Sequence, residues 1–199
     1  VREILNRVRT EGDKAVRDCE EQFDKVRLDN LQVTPEEFDE AEKLTSIELK
    51  AAILLALNNI KTFHSAQRFE TKKVTTLPGV TCWQKAVAIE KVGLYIPGGM
   101  APLFSTVLML ATPAQIAGCK EIILCTPPDR EGKIHPAILY AAKVAGVTRV
   151  FKIGGVQAIG AMAYGTTTVP KVYKIFGPGN QYVTAAKQQV SLHGVAIDM

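Results

Sequence analysis

From Val92 onward the chain alternates short, strongly apolar runs with longer segments whose apolar positions recur at helical spacing. The runs 92–96, 121–125, 149–153, 172–176 and 195–198 read as strands, and 105–118, 136–145, 156–164 and 181–192 read as helices. Regular β-α alternation implies parallel strands joined by right-handed crossovers, hence a doubly wound sheet. Thr112-Pro113 is expected to kink or split the first of these helices, because Pro cannot donate the interior hydrogen bond.

The first third of the chain has a different texture. An apolar stripe through Ile4, Val8, Ala15, Cys19 and Phe23, interrupted near Gly12, predicts helix over residues 1–25. Thr34-Pro35-Glu36-Glu37 is a helix start: Thr can cap, Pro fits the first turn and Glu37 completes a capping box. Ser46-Ile47-Glu48 opens a third helix, with Ile53, Leu57 and Ile60 on one face. Around Val74–Trp83, β-branched residues flank Pro78-Gly79, which predicts a strand or hairpin. The expected organisation is an N-terminal helical region (1–73), a β connection (74–91) and a Rossmann-like domain (92–199). The expected fold class is thus α/β, a mostly parallel sheet with helices on both faces preceded by helices.

Composition narrows the function. A chain of 199 residues with 47% hydrophobic and 22% charged residues fits one sizeable globular domain, with or without a helical appendage. The net charge of +4 is spread along the chain, and no basic block interleaved with aromatics marks a nucleic-acid surface. No apolar run reaches the ~18 residues of a membrane span. Cys19, Cys82, Cys119 and Cys125 show no CxxC or finger-like pattern, so free buried thiols in a reducing cytoplasm are expected. The charged start, Val1-Arg2-Glu3-Ile4, is not a signal peptide, and its lack of Met suggests a beginning inside a longer protein.

Candidate chemistry gathers at strand-to-helix junctions. Gly177-Pro178-Gly179-Asn180 runs into helix 181–192, Gly154-Gly155-Val156-Gln157 into helix 156–164, and Tyr95 precedes Pro97-Gly98-Gly99. Free N–H groups at such helix starts suit an anionic ligand such as a nucleotide, at the carboxyl ends of parallel strands. The Gly-Pro-Gly turn keeps two glycines of a dinucleotide fingerprint, and Asp198 falls where a ribose-binding acid is expected. Tyr182 occupies the third glycine position, and the spacing alone favours a tight turn without ligand. Gln157 either orients a neutral polar group or caps a helix, Tyr95 either stacks on a base or closes the core, and Ser105-Thr106 reads as a cap. His64 reads as an edge-of-core residue, while His135 and His193 lie at a helix start and a helix end. No histidine has a partner at ligand spacing, so no metal site is expected from these residues, and no acid, base or nucleophile is evident.

Four segments carry a resemblance: Val92–Gly99, Ala101–Met109, Gly154–Ile159 and Lys174–Asn180 closely resemble histidinol dehydrogenase. The likeness is diffuse over 1–73 and dense from Val92 to Met199. It implies a zinc-dependent, NAD-linked oxidation of L-histidinol through histidinal to L-histidine, in a cytoplasmic homodimer with intertwined subunits. It also implies that Tyr95, Gln157 and Asn180 contact NAD and that Ser105 lies near the substrate pocket. The family's zinc ligands and its Glu/His acid-base pair match nothing here and are expected past Met199, so residues 1–199 alone are expected to be inactive. Met100 stands where Ser or Thr is common, and Ala88 where Pro is common. Two other readings stay open: a nucleotide- or phosphate-binding transferase, and a non-catalytic assembly module.

Overall fold

A computed structural model describes residues 1–99 and 101–198; Met100 and Met199, which the sequence reading includes, lie outside the described residues. The elements run α1 (Arg2–Glu11), α2 (Asp13–Cys19), a single π-turn (Glu20–Asp24), α3 (Pro35–Leu44), α4 (Ile47–Ser65) and a hairpin of β1 (Lys73–Leu77) and β2 (Val80–Trp83). The alternating part follows: β3 (Lys91–Tyr95), α5 (Phe104–Ala117), β4 (Glu121–Thr126), α6 (Pro136–Val144), β5 (Arg149–Lys152), α7 (Gly155–Tyr164), β6 (Lys174–Phe176), α8 (Gln181–Ser191) and β7 (Ala196–Ile197).

The five strands β3–β7 form one parallel sheet in the order β5-β4-β3-β6-β7. Alternate residues of each strand point to opposite faces, so each run feeds two cores. Leu94, Ile122, Leu124 and Val150 face one core with α3–α6; Tyr95, Ile123, Cys125 and Phe151 face the other with α1, α2, α7 and α8. Helices therefore cover both faces, and the N-terminal helices supply outer layers to each. Residues 31–33 bond along the β5 edge, through Lys152 N–H to the Leu31 carbonyl and Val33 N–H to the Val150 carbonyl. That covers an edge otherwise open to pairing.

Local signals act as the sequence predicts at several points. Thr34 accepts from Glu37 N–H while Glu37 accepts from Thr34 N–H, completing the capping box. Ser46 accepts from Leu49 N–H. Gly12, at φ +60°, separates α1 from α2.

Other expectations change. Helix α5 runs unbroken through Pro113; the carbonyl deprived of a partner belongs to Met109, on an exposed position where water can satisfy it. Ser105 and Thr106 do not cap: the helix begins one residue earlier, its N-cap is Leu103, and Ser105 is exposed. All four cysteines are free, but only Cys19 and Cys125 are buried; Cys82 is exposed on the hairpin, whose strands are exposed throughout. Phe23 leaves the predicted stripe and is 52% exposed, because the π-turn rotates it off the buried face of α2.

Candidate functional site

Parallel strands place all their carboxyl ends along one edge. In this strand order the sheet reverses direction of growth between β3 and β6, and the crevice at such a reversal is where ligands enter doubly wound sheets. A cavity of about 1200 Å³ opens at this edge, and Tyr95, Gln157, Asn180 and Asp24 all line it. The structure thus brings together the three residues singled out at separate junctions. Ser105 is not among the cavity's lining residues.

The loops interlock. A Cβ on Gly98 or on Gly154 would lie 2.7 Å from Pro127 side-chain atoms, so the loops after β3 and β5 both close on the loop after β4. Gly177 has φ +124°, and a Cβ there would lie 2.1 Å from the Tyr95 carbonyl oxygen. Only glycine lets the ends of β6 and β3 come this close.

The helix starts are less open than the sequence suggests, because the protein's own groups take their donors. Gly154 N–H donates to Glu20 Oε1 at 3.0 Å, and Gly155 N–H donates to the Tyr95 hydroxyl at 3.0 Å. Asn180 Oδ1 accepts from both Tyr182 and Val183 N–H at 3.0 Å, which caps α8. Asp198, which falls where a ribose-binding acid would lie, accepts from Gly177 N–H and pairs with Lys187, whose Nζ also donates to the Gly177 carbonyl. The Gly177 peptide is held at both its polar groups. What remains for a ligand is the Asn180 amide nitrogen, Gln157 Oε1, the Tyr95 hydroxyl and the Asp24 carboxyl.

Tyr95 is 3% exposed, its ring in the core and its hydroxyl at the cavity wall; burial pushes the phenol up to about 12, against the bond from Gly155. Gln157 is 2% exposed and donates through Nε2 to Glu20 Oε1 at 2.8 Å. Glu20 is fully buried, and burial first, then the Asp24 charge, raise its carboxyl to about 8. Burial also raises Asp24. Sequence reasoning missed this acidic pair, which reaches the site from the π-turn; its one local signal is the clustering of Glu20, Glu21 and Asp24 where the apolar stripe fails.

The histidines do not converge. His135 Nδ1 accepts from Ala137 N–H, His64 bonds Gln67, and His193 packs against Tyr164. Among the described residues no three potential metal ligands come together, and no helix is long and apolar enough to cross a membrane.

Replacing Asn180 by Ala removes the acceptor of two N–H groups. A loss of about 1 kcal/mol in stability is expected, read as a lower midpoint in denaturant at unchanged slope.

The family model described as histidinol dehydrogenase matches residues 1–199. The chain is 74% identical over 199 residues to a histidinol dehydrogenase of Bacteroides fragilis (strain YCH46), covering all of this chain and 46% of that protein. It is 55% identical over 201 residues to the enzyme of that name from Salmonella typhimurium, covering 45% of it. The crystal structure of histidinol dehydrogenase from Elizabethkingia anophelis superposes with a TM-score of 0.96 at 53% identity, over 98% of this chain and 45% of that one. The chain spans about half the length of these relatives. On sequence and on fold together, it belongs to the histidinol dehydrogenase family.

Proposed function

We propose that this chain is the NAD-binding part of an enzyme that oxidises L-histidinol through histidinal to L-histidine, the closing steps of histidine biosynthesis. The observation that carries the reading is the convergence of Tyr95, Gln157 and Asn180 on one cavity at the sheet's reversal point, in a chain of this family.

These residues fit a dinucleotide. The cavity, at about 1200 Å³, exceeds what a drug-sized ligand needs, and its wall offers one amide donor, one amide acceptor, a hydroxyl and a carboxyl. Tyr95, Gln157 and Asn180 would hold NAD, which supplies the hydride acceptor when bound. The chain's own part is orientation. Asn180, fixed through its oxygen by the α8 cap, turns its amide nitrogen outward as a donor. Gln157, fixed through its nitrogen by Glu20, keeps its oxygen as an acceptor. The tyrosine hydroxyl, held by Gly155 N–H, stays a neutral partner because its proton is bound well above physiological pH. The interlocked loops after β3, β4 and β5 keep that wall rigid and exclude water from behind it.

Zinc is a different case. Among the described residues no three potential ligands come together to hold it. The zinc ligands and the groups that move protons belong, on this reading, to the rest of the intact protein. Exposed apolar side chains on α4 and the hairpin, among them Leu55, Phe63, Leu77 and Trp83, are the surface this reading assigns to the rest of that protein and to a dimer partner.

The test is direct. Intact protein given L-histidinol and NAD should form two NADH per L-histidine, and residues 1–199 alone should form none and bind no stoichiometric zinc. Histidinol-dependent NAD reduction by residues 1–199 alone would contradict the division of labour. Activity with a phosphorylated donor in place of NAD would favour a transferase.

A further inference from the structure

Glu20 lies behind the cavity wall, beside Asp24 and Gln157, which line it. It is fully buried on the π-turn between α2 and the loop that follows. Its Oε1 accepts from Gly154 N–H at 3.0 Å and from Gln157 Nε2 at 2.8 Å. Its Oε2 is buried without a hydrogen-bond partner. None of the ion pairs among the described residues involves Glu20 or Asp24. A buried carboxylate with one orphaned oxygen and a second carboxyl beside it is costly, and the group keeps a proton instead.

We propose that Glu20 is a positioning residue of the nucleotide site, acting as a neutral carboxylic acid: one oxygen anchors the Gln157 amide and the first turn of α7, while the other directs a proton toward Asp24 at the cavity wall. The inference rests on the NAD reading above and deepens it. Ionising Glu20 adds a negative charge beside Asp24, just behind the wall that must accept an anionic dinucleotide. It also draws Gln157 and the α7 start inward, away from the ligand.

Of the groups facing Glu20, Asp24 is the one whose carboxyl burial also raises, so the two carboxyls titrate as a pair. Asp24 lies on the same turn, Cys19 precedes it at the end of α2, Tyr95 comes from β3 and Cys125 from β4; Gly154, which precedes α7, and Gln157 of α7 are both neutral. Burial pushes both thiols and the phenol upward, so none of them ionises in the window where Glu20 does.

The experiment is a calorimetric NAD titration of the intact protein from pH 6 to pH 9, with Glu20→Gln beside wild type. The amide of the variant keeps the acceptor for Gly154 and Gln157 and offers Asp24 a donor without ever ionising. If only the neutral form binds, wild-type Kd should rise about tenfold from pH 7 to pH 9, as the competent fraction falls. Glu20→Gln should match wild type at pH 7 and stay flat.

Melting in the same buffers, without NAD, follows protonation separately. A raised native carboxyl holds its proton while the unfolded chain releases it near 4.5, so stability is fully present below 4.5 and falls as pH rises to about 8. Wild type should show this decline, and Glu20→Gln should lose it. A variant whose Kd rises with pH as wild type's does, or that binds weakly at pH 7, overturns the positioning role while leaving the NAD reading intact. Wild type that binds no NAD at any pH overturns both.

Discussion

Gly177→Ala is expected to cost about 4 kcal/mol, lowering the melting midpoint by roughly 8–16 °C. Two effects add. The backbone at φ +124° is a conformation that alanine adopts only with strain, and the new Cβ would sit 2.1 Å from the Tyr95 carbonyl oxygen. Neither atom is the free end of a side chain, so relief requires β6 and β3 to separate at their carboxyl ends. Because Tyr95 lines the cavity from that point, the variant should also bind NAD more weakly at temperatures where it stays folded. A control at Gly99, where a Cβ meets nothing within 4 Å, should change the midpoint little. Thermal melting of the three proteins checks both statements.

Lys187→Met is the second large effect. The Lys187 side chain is 10% exposed, pairs with Asp198 and donates to the Gly177 carbonyl at 3.0 Å. Removing the charge leaves Asp198 unpaired beside a turn whose N–H it accepts. Breaking a buried pair from one side typically costs about 3–5 kcal/mol, and the partial exposure of Asp198, 34%, brings the expected loss below that range, to about 2–3 kcal/mol. Lys187→Met combined with Asp198→Asn removes both charges and should recover part of that loss. Denaturant midpoints of the two single variants and the double variant close a cycle in which the double variant should lose less than the sum of the two single losses.

These two residues also show where sequence reading stops. The β-α alternation was legible because each strand is apolar enough to feed two cores and each crossover carries a helical stripe. The capping box at Thr34 and the break at Gly12 were legible because their physics is local. The site was legible in outline, since glycine-bearing turns after apolar runs mark strand ends, and parallel topology collects strand ends on one edge. Its inner wiring was not. Glu20 reaches Gly154 and Gln157 across 134 and 137 residues, and no local pattern encodes that contact. Spacing favours a tight turn at Gly177–Asn180 but does not reveal that Asp198 and Lys187, from the preceding helix, hold it closed. The glycines that suggested ligand approach at Gly98 and Gly154 serve packing against Pro127, which only the folded loops reveal. Pro113 misled because a missing interior hydrogen bond matters little where the freed carbonyl faces water.

If residues 1–199 hold the dinucleotide while the zinc and the proton-moving groups come from elsewhere in the intact protein, the two functions should separate in Gln157→Leu. A paired assay of NAD affinity and zinc content on intact wild type and on this variant decides it. The substitution keeps the side chain buried and removes the acceptor assigned to NAD. The variant's Kd for NAD should rise at least tenfold while bound zinc per subunit stays at the wild-type value. A variant that keeps wild-type NAD affinity, or that loses its zinc along with NAD, would contradict it.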